Sequence, residues 1–290
     1  MRNGFFKGHG LGNDYIAVDP AQLEFGLTPP NIRLICDRHR GLGSDGILAL
    51  EPSSRADFGL RIFNPDGSEA EKSGNGLRIF SRYLHATGRT SAEGFTVETK
   101  GGIVSVRVVL DAQGDVVSAT VEMGQARFAP SELPCTLEAA ELVDQPIQVG
   151  DRQLRFTGVS LGNPHCVLLR NPGETWTRDE LLALGPALEN HPIFPRRINV
   201  QLAVPTGAHE LFILIWERGA GETQASGSSA CAAASAAVRA GLVRSPVTVR
   251  APGGALQIEV DPAFNVRMSG PVSEVAQGTF SRGFLRELGA

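Results

Sequence analysis

The stretch Arg61-Ile62-Phe63-Asn64-Pro65-Asp66-Gly67-Ser68-Glu69, with Ser73-Gly74-Asn75-Gly76 just after it, decides how this chain is read, because its pattern occurs twice. An apolar strand leads into a polar turn, the turn into Ser-Gly, and Ser-Gly into a helical run. The same succession is met at Leu214-Ile215-Trp216-Glu217, Glu222 and Ser226-Gly227-Ser228-Ser229, an offset of 153 (226 minus 73). Upstream, Leu11-Gly12-Asn13-Asp14 is echoed by Leu161-Gly162-Asn163-Pro164, an offset of 150 (161 minus 11). Downstream, Val97-Glu98-Thr99-Lys100-Gly101-Gly102 is echoed by Val249-Arg250-Ala251-Pro252-Gly253-Gly254, an offset of 152 (249 minus 97). Three echoes in one order imply an internal duplication. Two related lobes are expected to pack about a pseudo-twofold axis, and ligand sites favour the cleft between domains, so the paired turns are expected to face one another there.

Length agrees, since 290 residues make two domains of ordinary size. Segments 102–110, 116–123, 211–216, 247–250 and 256–260 alternate or run apolar at strand length, while 30–38, 75–86, 178–189 and 228–240 have helical spacing or high alanine content. The expected fold is α/β (α+β): two pseudo-symmetric lobes, each a mixed or antiparallel sheet around a central helix. The lobes are set at 1–125 and 126–270, with a linker near 124–130 and the tail 271–290 returning to the first lobe.

The charge balance of 27 Lys and Arg against 31 Asp and Glu is mild and unclustered, which argues against nucleic acid. No run approaches the roughly 20 apolar residues that span a bilayer, and no apolar segment follows the N-terminal basic residue as in an export signal. A cytoplasmic protein with a small-molecule partner, and no membrane partner, is expected. Cys36, Cys135, Cys166 and Cys231 lie far apart without zinc-like spacing, so they read as buried thiols and no metal site is expected.

Ser73 and Ser226 both stand at helix starts, where unpaired backbone N–H groups and the positive end of the helix dipole suit a carboxylate or phosphate. Each alone reads as an ordinary serine cap. As a pair at equivalent places they suggest groups flanking one ligand atom, the arrangement that inverts a stereocentre by removing a proton from one face and delivering one to the other.

His9-Gly10-Leu11-Gly12-Asn13-Asp14, Arg38-His39-Arg40-Gly41-Leu42-Gly43-Ser44-Asp45-Gly46, Phe63-Asn64-Pro65-Asp66-Gly67-Ser68, Gly162-Asn163-Pro164-His165 and Glu217-Arg218-Gly219-Ala220-Gly221-Glu222-Thr223, in this order, resemble the signature stretches of the diaminopimelate epimerases. The resemblance runs nearly end to end. It implies interconversion of LL- and meso-diaminopimelate for lysine and cell-wall synthesis without pyridoxal phosphate or any other cofactor, and a homodimer. Carried over by motif, Asn13, Asn64, Asn163, Asn199, Glu217 and Arg218 hold the unreacting end of the substrate, Arg218 as a planar fork on its carboxylate. The reacting carboxylate is expected on the N–H groups around Gly74, Asn75, Gly227 and Ser228. His165 and Glu217 resemble the auxiliary pair that assists proton transfer beside the catalytic positions 73 and 226.

Those two positions depart from the family, which has cysteine where this chain has Ser73 and Ser226. A thiol titrates near pH 8.5, and lower at a helix N-terminus, so its thiolate serves as a base near neutrality. An unaided hydroxyl does not, and little epimerase activity is expected. Three readings of the paired serines stay open: selective replacement of the cysteines, a natural racemase or dehydratase acting on another amino acid, and a non-catalytic amino-acid-binding paralogue.

Overall fold

The computed structural model describes residues 1–290. The chain divides into two compact units, Met1–Val121 with Gly270–Ala290, and Glu122–Ser269.

The first unit contains β1 (Gly4–Gly10), β2 (Asn13–Val18), α1 (Pro29–Cys36), β3 (Ile47–Glu51), β4 (Phe58–Phe63), β5 (Glu69–Ala70), α2 (Gly74–Ala86), β6 (Gly94–Thr99), β7 (Gly102–Leu110) and the start of β8 (Val116–Gln125). The second holds β9 (Gln145–Val149), β10 (Arg152–Ser160), β11 (Pro164–Leu169), α3 (Arg178–Glu189), β12 (Asn199–Gly207), β13 (Glu210–Glu217), β14 (Gly221–Thr223), α4 (Gly227–Arg239), β15 (Val247–Ala251), β16 (Gly254–Val260) and most of β17 (Asn265–Pro271). The tail, β18 (Ser273–Thr279) and α5 (Arg282–Glu287), belongs to the first unit. The division falls inside β8 and β17, a few residues before the expected linker at 124–130.

Strand pairing repeats step for step. In the first unit β1 pairs antiparallel with β2, β2 parallel with β3, β3 antiparallel with β4, β4 parallel with β6, and β6 antiparallel with β7. In the second, β10–β11, β11–β12, β12–β13, β13–β15 and β15–β16 pair in the same senses. Parallel neighbours need a crossover rather than a hairpin, and α1 to α4 supply the four. The outer partner of β1 is β18, and that of β10 is β9, both antiparallel. The tail strand thus does for the first sheet what β9 does for the second.

Local chemistry explains the layers. In β7 the valines 104, 106 and 108 are buried while Ile103 and Val109 face outward, the period of two of a strand covered on one face. α2 and α4 behave differently: each has thirteen residues, of which ten are buried. A helix covered on nearly every side sits in the middle of its unit. α2 fills its space with Leu77, Ile79, Phe80 and Leu84, whose burial contributes roughly 1.5–3 kcal/mol each. α4 instead uses Ala230, Ala232, Ala233, Ala234, Ala236 and Ala237, letting the strands approach closely. Helix α1 ends before Asp37, which is extended (φ −61°, ψ 123°), so the helix stops short of the expected residue 38. The tail docks on α1, with Phe280 and Leu288 buried among Phe25, Ile32 and Ile35. No helix is long and apolar enough to cross a membrane.

Candidate active site

In the first unit the turn between β1 and β2, with Gly12 at φ 88°, sends Asn13 toward the start of α2. Asn75 Nδ2 donates to Asn13 Oδ1 (3.1 Å), and Asn13 Nδ2 donates to Asp45 Oδ2 (2.8 Å). Behind them Arg78, fully buried, donates to Asn75 Oδ1 and to the Pro271 carbonyl. Asp14 anchors the same turn through Lys7 (3.2 Å) and Arg38 (2.7 Å), and Arg38 reaches Asp45 as well (2.7 Å). Burial pushes the Asp14 carboxyl upward, but Arg38 and Lys7 outweigh it and hold the group below the ordinary carboxylate range. Ser73 caps α2: its Oγ accepts from Gly76 N (3.0 Å) and lies 3.4 Å from the Tyr15 hydroxyl. Asn64 faces its own turn, donating to Ser68 Oγ (2.9 Å).

The second unit repeats the plan with different side chains. Gly162, at φ 93°, makes the corresponding turn between β10 and β11, and Asn163 Nδ2 donates to Ser228 Oγ (3.2 Å) in the first turn of α4. Asn199 Nδ2 donates to the Pro164 carbonyl (2.8 Å), and its Oδ1 accepts the Arg218 backbone N–H (3.0 Å). Glu217 is the last residue of β13, and Arg218 after it is exposed, with one guanidinium nitrogen 3.4 Å from the Arg196 carbonyl. Ser226 occupies the N-cap of α4 and is buried, yet its side chain makes no capping bond, unlike Ser73. Gly74 and Gly227 open the two helices without a Cβ to hinder approach to their first N–H groups.

His165 is fully buried and its Nε2 lies 3.0 Å from Asn163 Oδ1, so it supports Asn163 and has no hydrogen bond to Ser226. Burial drives its pKa down to about 3; Gln201 opposes the shift and the positive field of Arg218 adds to it. A neutral imidazole this weakly basic is a poor acceptor for a serine proton. The unfolded chain takes up this proton as pH falls through about 6.5, whereas the folded chain does so only near 3. In that window the unfolded state holds more protons, so stability falls as pH falls. Replacing His165→Gln is expected to flatten the unfolding free energy against pH between 6.5 and 3 by up to about 1.4 kcal/mol per pH unit, read by denaturant titration. An unchanged slope shows that the imidazole is not held neutral.

Tyr15, Glu189 and Gln201 also stand at the site, outside the residues that the motifs mark, and Ser229 stands there from the helix start Ser226-Gly227-Ser228-Ser229. Tyr15 is legible in the sequence, because it stands in Leu11-Gly12-Asn13-Asp14-Tyr15 where His165 stands in Leu161-Gly162-Asn163-Pro164-His165. Glu189, the buried last residue of α3, accepts from Trp216 Nε1 (2.8 Å), Gly219 N (2.8 Å) and Arg197 (3.2 Å), fixing the turn that carries Glu217 and Arg218. Nothing local in the sequence marks it. Cys36, Cys166 and Cys231 are buried, and burial pushes the first two above the ordinary thiol range.

The family model of diaminopimelate epimerase matches residues 5–129 and 157–275. Diaminopimelate epimerase 2 of Nostoc sp. is 45% identical over 279 residues, 96% of this chain and 95% of that protein. The diaminopimelate epimerase of Moorella thermoacetica is 42% identical over 278 residues, 95% of this chain and 98% of its own. Among solved structures, a hydroxyproline epimerase of Agrobacterium vitis shares the fold with a TM-score of 0.70 at 15% identity, covering 97% of this chain and 93% of the other. With both units matched by one family model and relatives above 40% identity along nearly the whole length, the chain belongs to the diaminopimelate epimerase family.

Proposed function

We propose that the chain binds diaminopimelate and is built for its epimerisation by two-base proton transfer, with Ser73 and Ser226 at the two proton-transferring positions. The observation that carries this is the repeated helix start: a serine N-cap, a glycine at the first helical position, and an asparagine turn hydrogen-bonded to the helix's first turn. The reacting carboxylate accepts N–H groups of Gly74, Asn75, Gly227 and Ser228, which stabilise the charge that grows on it when the α-proton leaves. Arg218, positioned through its own N–H on Asn199, takes the distal carboxylate, and Asn13, Asn64, Asn163 and Glu217 complete that end.

Serine limits the chemistry. The hydroxyls stay protonated at working pH, so they shape the site and relay protons poorly. Family membership suggests a cytoplasmic homodimer.

Calorimetric titration with LL- and meso-diaminopimelate, together with α-proton exchange in deuterated water on the same samples, tests the proposal. Binding with at most a trace of exchange is expected. Failure to bind either stereoisomer overturns the substrate, fast exchange overturns the assignment of poor bases, and turnover of another amino acid moves the chain to the racemase or dehydratase reading.

A further inference from the structure

His165, Gln201 and Ser229 are fully buried side by side beneath the start of α4. β11 and β12 run parallel with His165 opposite Asn199, so Gln201, two residues on, shares the face of His165. Gln201 Nε2 lies 3.0 Å from Ser229 Oγ. Two buried polar atoms here lack a hydrogen-bond partner: His165 Nδ1 and Gln201 Oε1. Hydrogen bonds join Ser228 to Asn163 to His165 and Gln201 to Ser229, and Gln201 is the side chain acting on the imidazole, so the groups form a line whose two ends are neighbours in the first turn of α4.

A neutral imidazole can be satisfied along this line in two ways: by a half-turn of the Asn163 amide, with Nδ1 protonated onto Gln201 Oε1, or, with Asn163 kept as it stands, by a half-turn of Gln201. In the second, Asn163 gives its amide N–H to Ser228, so its oxygen faces His165, and Nε2 must carry the proton it donates there. Nδ1 is then a lone pair and needs a donor. A half-turn of the Gln201 carboxamide, whose oxygen and nitrogen occupy nearly the same space, supplies one. The Ser229 hydroxyl then donates to Gln201 Oε1, Gln201 Nε2 donates to His165 Nδ1, and every buried group is satisfied.

The duplication furnishes an internal control. By the offset that relates Ser226 to Ser73, the first-unit counterparts of Gln201 and Ser229 are Leu48 and Gly76, and Leu48 Cδ2 lies 3.0 Å from where a Cβ on Gly76 would stand. That apolar contact lies near a tyrosine, Tyr15, whose hydroxyl reaches Ser73 instead. The polar pair is found only where the turn carries an imidazole.

We propose that Gln201, backed by Ser229, is a positioning residue that fixes His165 as its Nε2–H tautomer and thereby locks the amide of Asn163 in one orientation. Its importance for substrate binding rests on Asn163 being a diaminopimelate ligand. The tautomer itself does not, and can be read without any ligand. The one charged group acting on the imidazole is Arg218, whose field disfavours its protonation.

The test is long-range ¹H–¹⁵N correlation of the imidazoles in the full chain, assigned with His165→Gln. The Nε2–H pattern is expected, steady between neutral and mildly acidic pH. In Gln201→Glu, nearly isosteric, the carboxylate accepts from Nδ1–H, and His165 is expected to show Nδ1 protonated at neutral pH. In the double variant Gln201→Leu, Ser229→Gly, which copies the first unit, both neutral tautomers are expected, with diaminopimelate binding about tenfold weaker, the scale of one hydrogen-bonding ligand no longer held in place. An Nδ1–H tautomer in the unmodified chain, or an unaltered imidazole spectrum in Gln201→Glu, overturns the proposal; should the double variant not fold, Gln201→Glu decides. Failure of the unmodified chain to bind diaminopimelate sinks the functional reading and leaves the tautomer result standing.

Discussion

Exchanging Ser73→Cys and Ser226→Cys together is expected to raise α-proton exchange and epimerisation of LL-diaminopimelate by about three orders of magnitude over the chain as it stands, within the range that a well-placed general base contributes. The geometry of the first helix start favours a thiolate. Gly76 N already donates to the Ser73 side chain and the Tyr15 hydroxyl, able to donate to a thiolate, stands 3.4 Å from it, so both and the helix dipole meet at one atom. At Ser226 burial opposes ionisation and no backbone N–H is engaged by the side chain, so the thiol there is expected to be the less acidic of the two. A thiolate at one position and a thiol at the other is the resting state a two-base epimerase requires: one group takes a proton while its counterpart gives one. Each single variant should exchange the α-proton of one stereoisomer and interconvert the pair poorly. Deuterium incorporation by NMR, with both stereoisomers as starting material, checks this. A double variant that binds diaminopimelate and leaves its α-proton in place means that the two positions do not serve one carbon, and the epimerase assignment for this scaffold fails.

Much of this frame is legible in the sequence, for a physical reason. Glycines at tight turns, serines at helix starts and alternating valines each report a local backbone requirement, and local requirements are written in adjacent residues. The Leu-Gly-Asn turns at 11–13 and 161–163, the helices α2 and α4 and the strands β7 and β16 were legible in this way. The family resemblance added the asparagines and Arg218, which no periodicity marks. What stayed hidden depends on register between distant segments. Gln201 matters because β12 pairs with β11 at one register, and Leu48 is its counterpart because β3 pairs with β2 likewise. His165 shows the limit from the other side: its motif suggests a helper base, and the full burial beside Asn163 that pushes its pKa down is invisible in sequence.

Glu189 illustrates the same limit and carries the second large expected effect. A carboxylate at the last residue of a helix meets the negative end of the dipole, so its local setting is unfavourable. It is retained at 6% exposure because Trp216, Gly219 and Arg197 all donate to it. Trp216 can come this close because α3 offers Gly185, where a Cβ would stand 2.6 Å from the indole ring. In Glu189→Ala the half-buried indole N–H and the Gly219 N–H lose the acceptor that the buried carboxylate gave them, and the largely exposed Arg197 loses its counter-charge. A loss of about 3 kcal/mol is expected. For a chain of 290 residues that lowers the melting temperature by roughly 5 °C. Glu189→Gln keeps the shape but turns one acceptor into a donor facing an N–H group, so an intermediate loss is expected. The same turn carries Glu217 and Arg218, and diaminopimelate affinity should fall in both variants at temperatures well below their melting points. If thermal unfolding shifts as expected while affinity holds, Glu189 supports the fold alone, and the grip of Arg218 on the substrate comes from its bond to Asn199 and not from the turn.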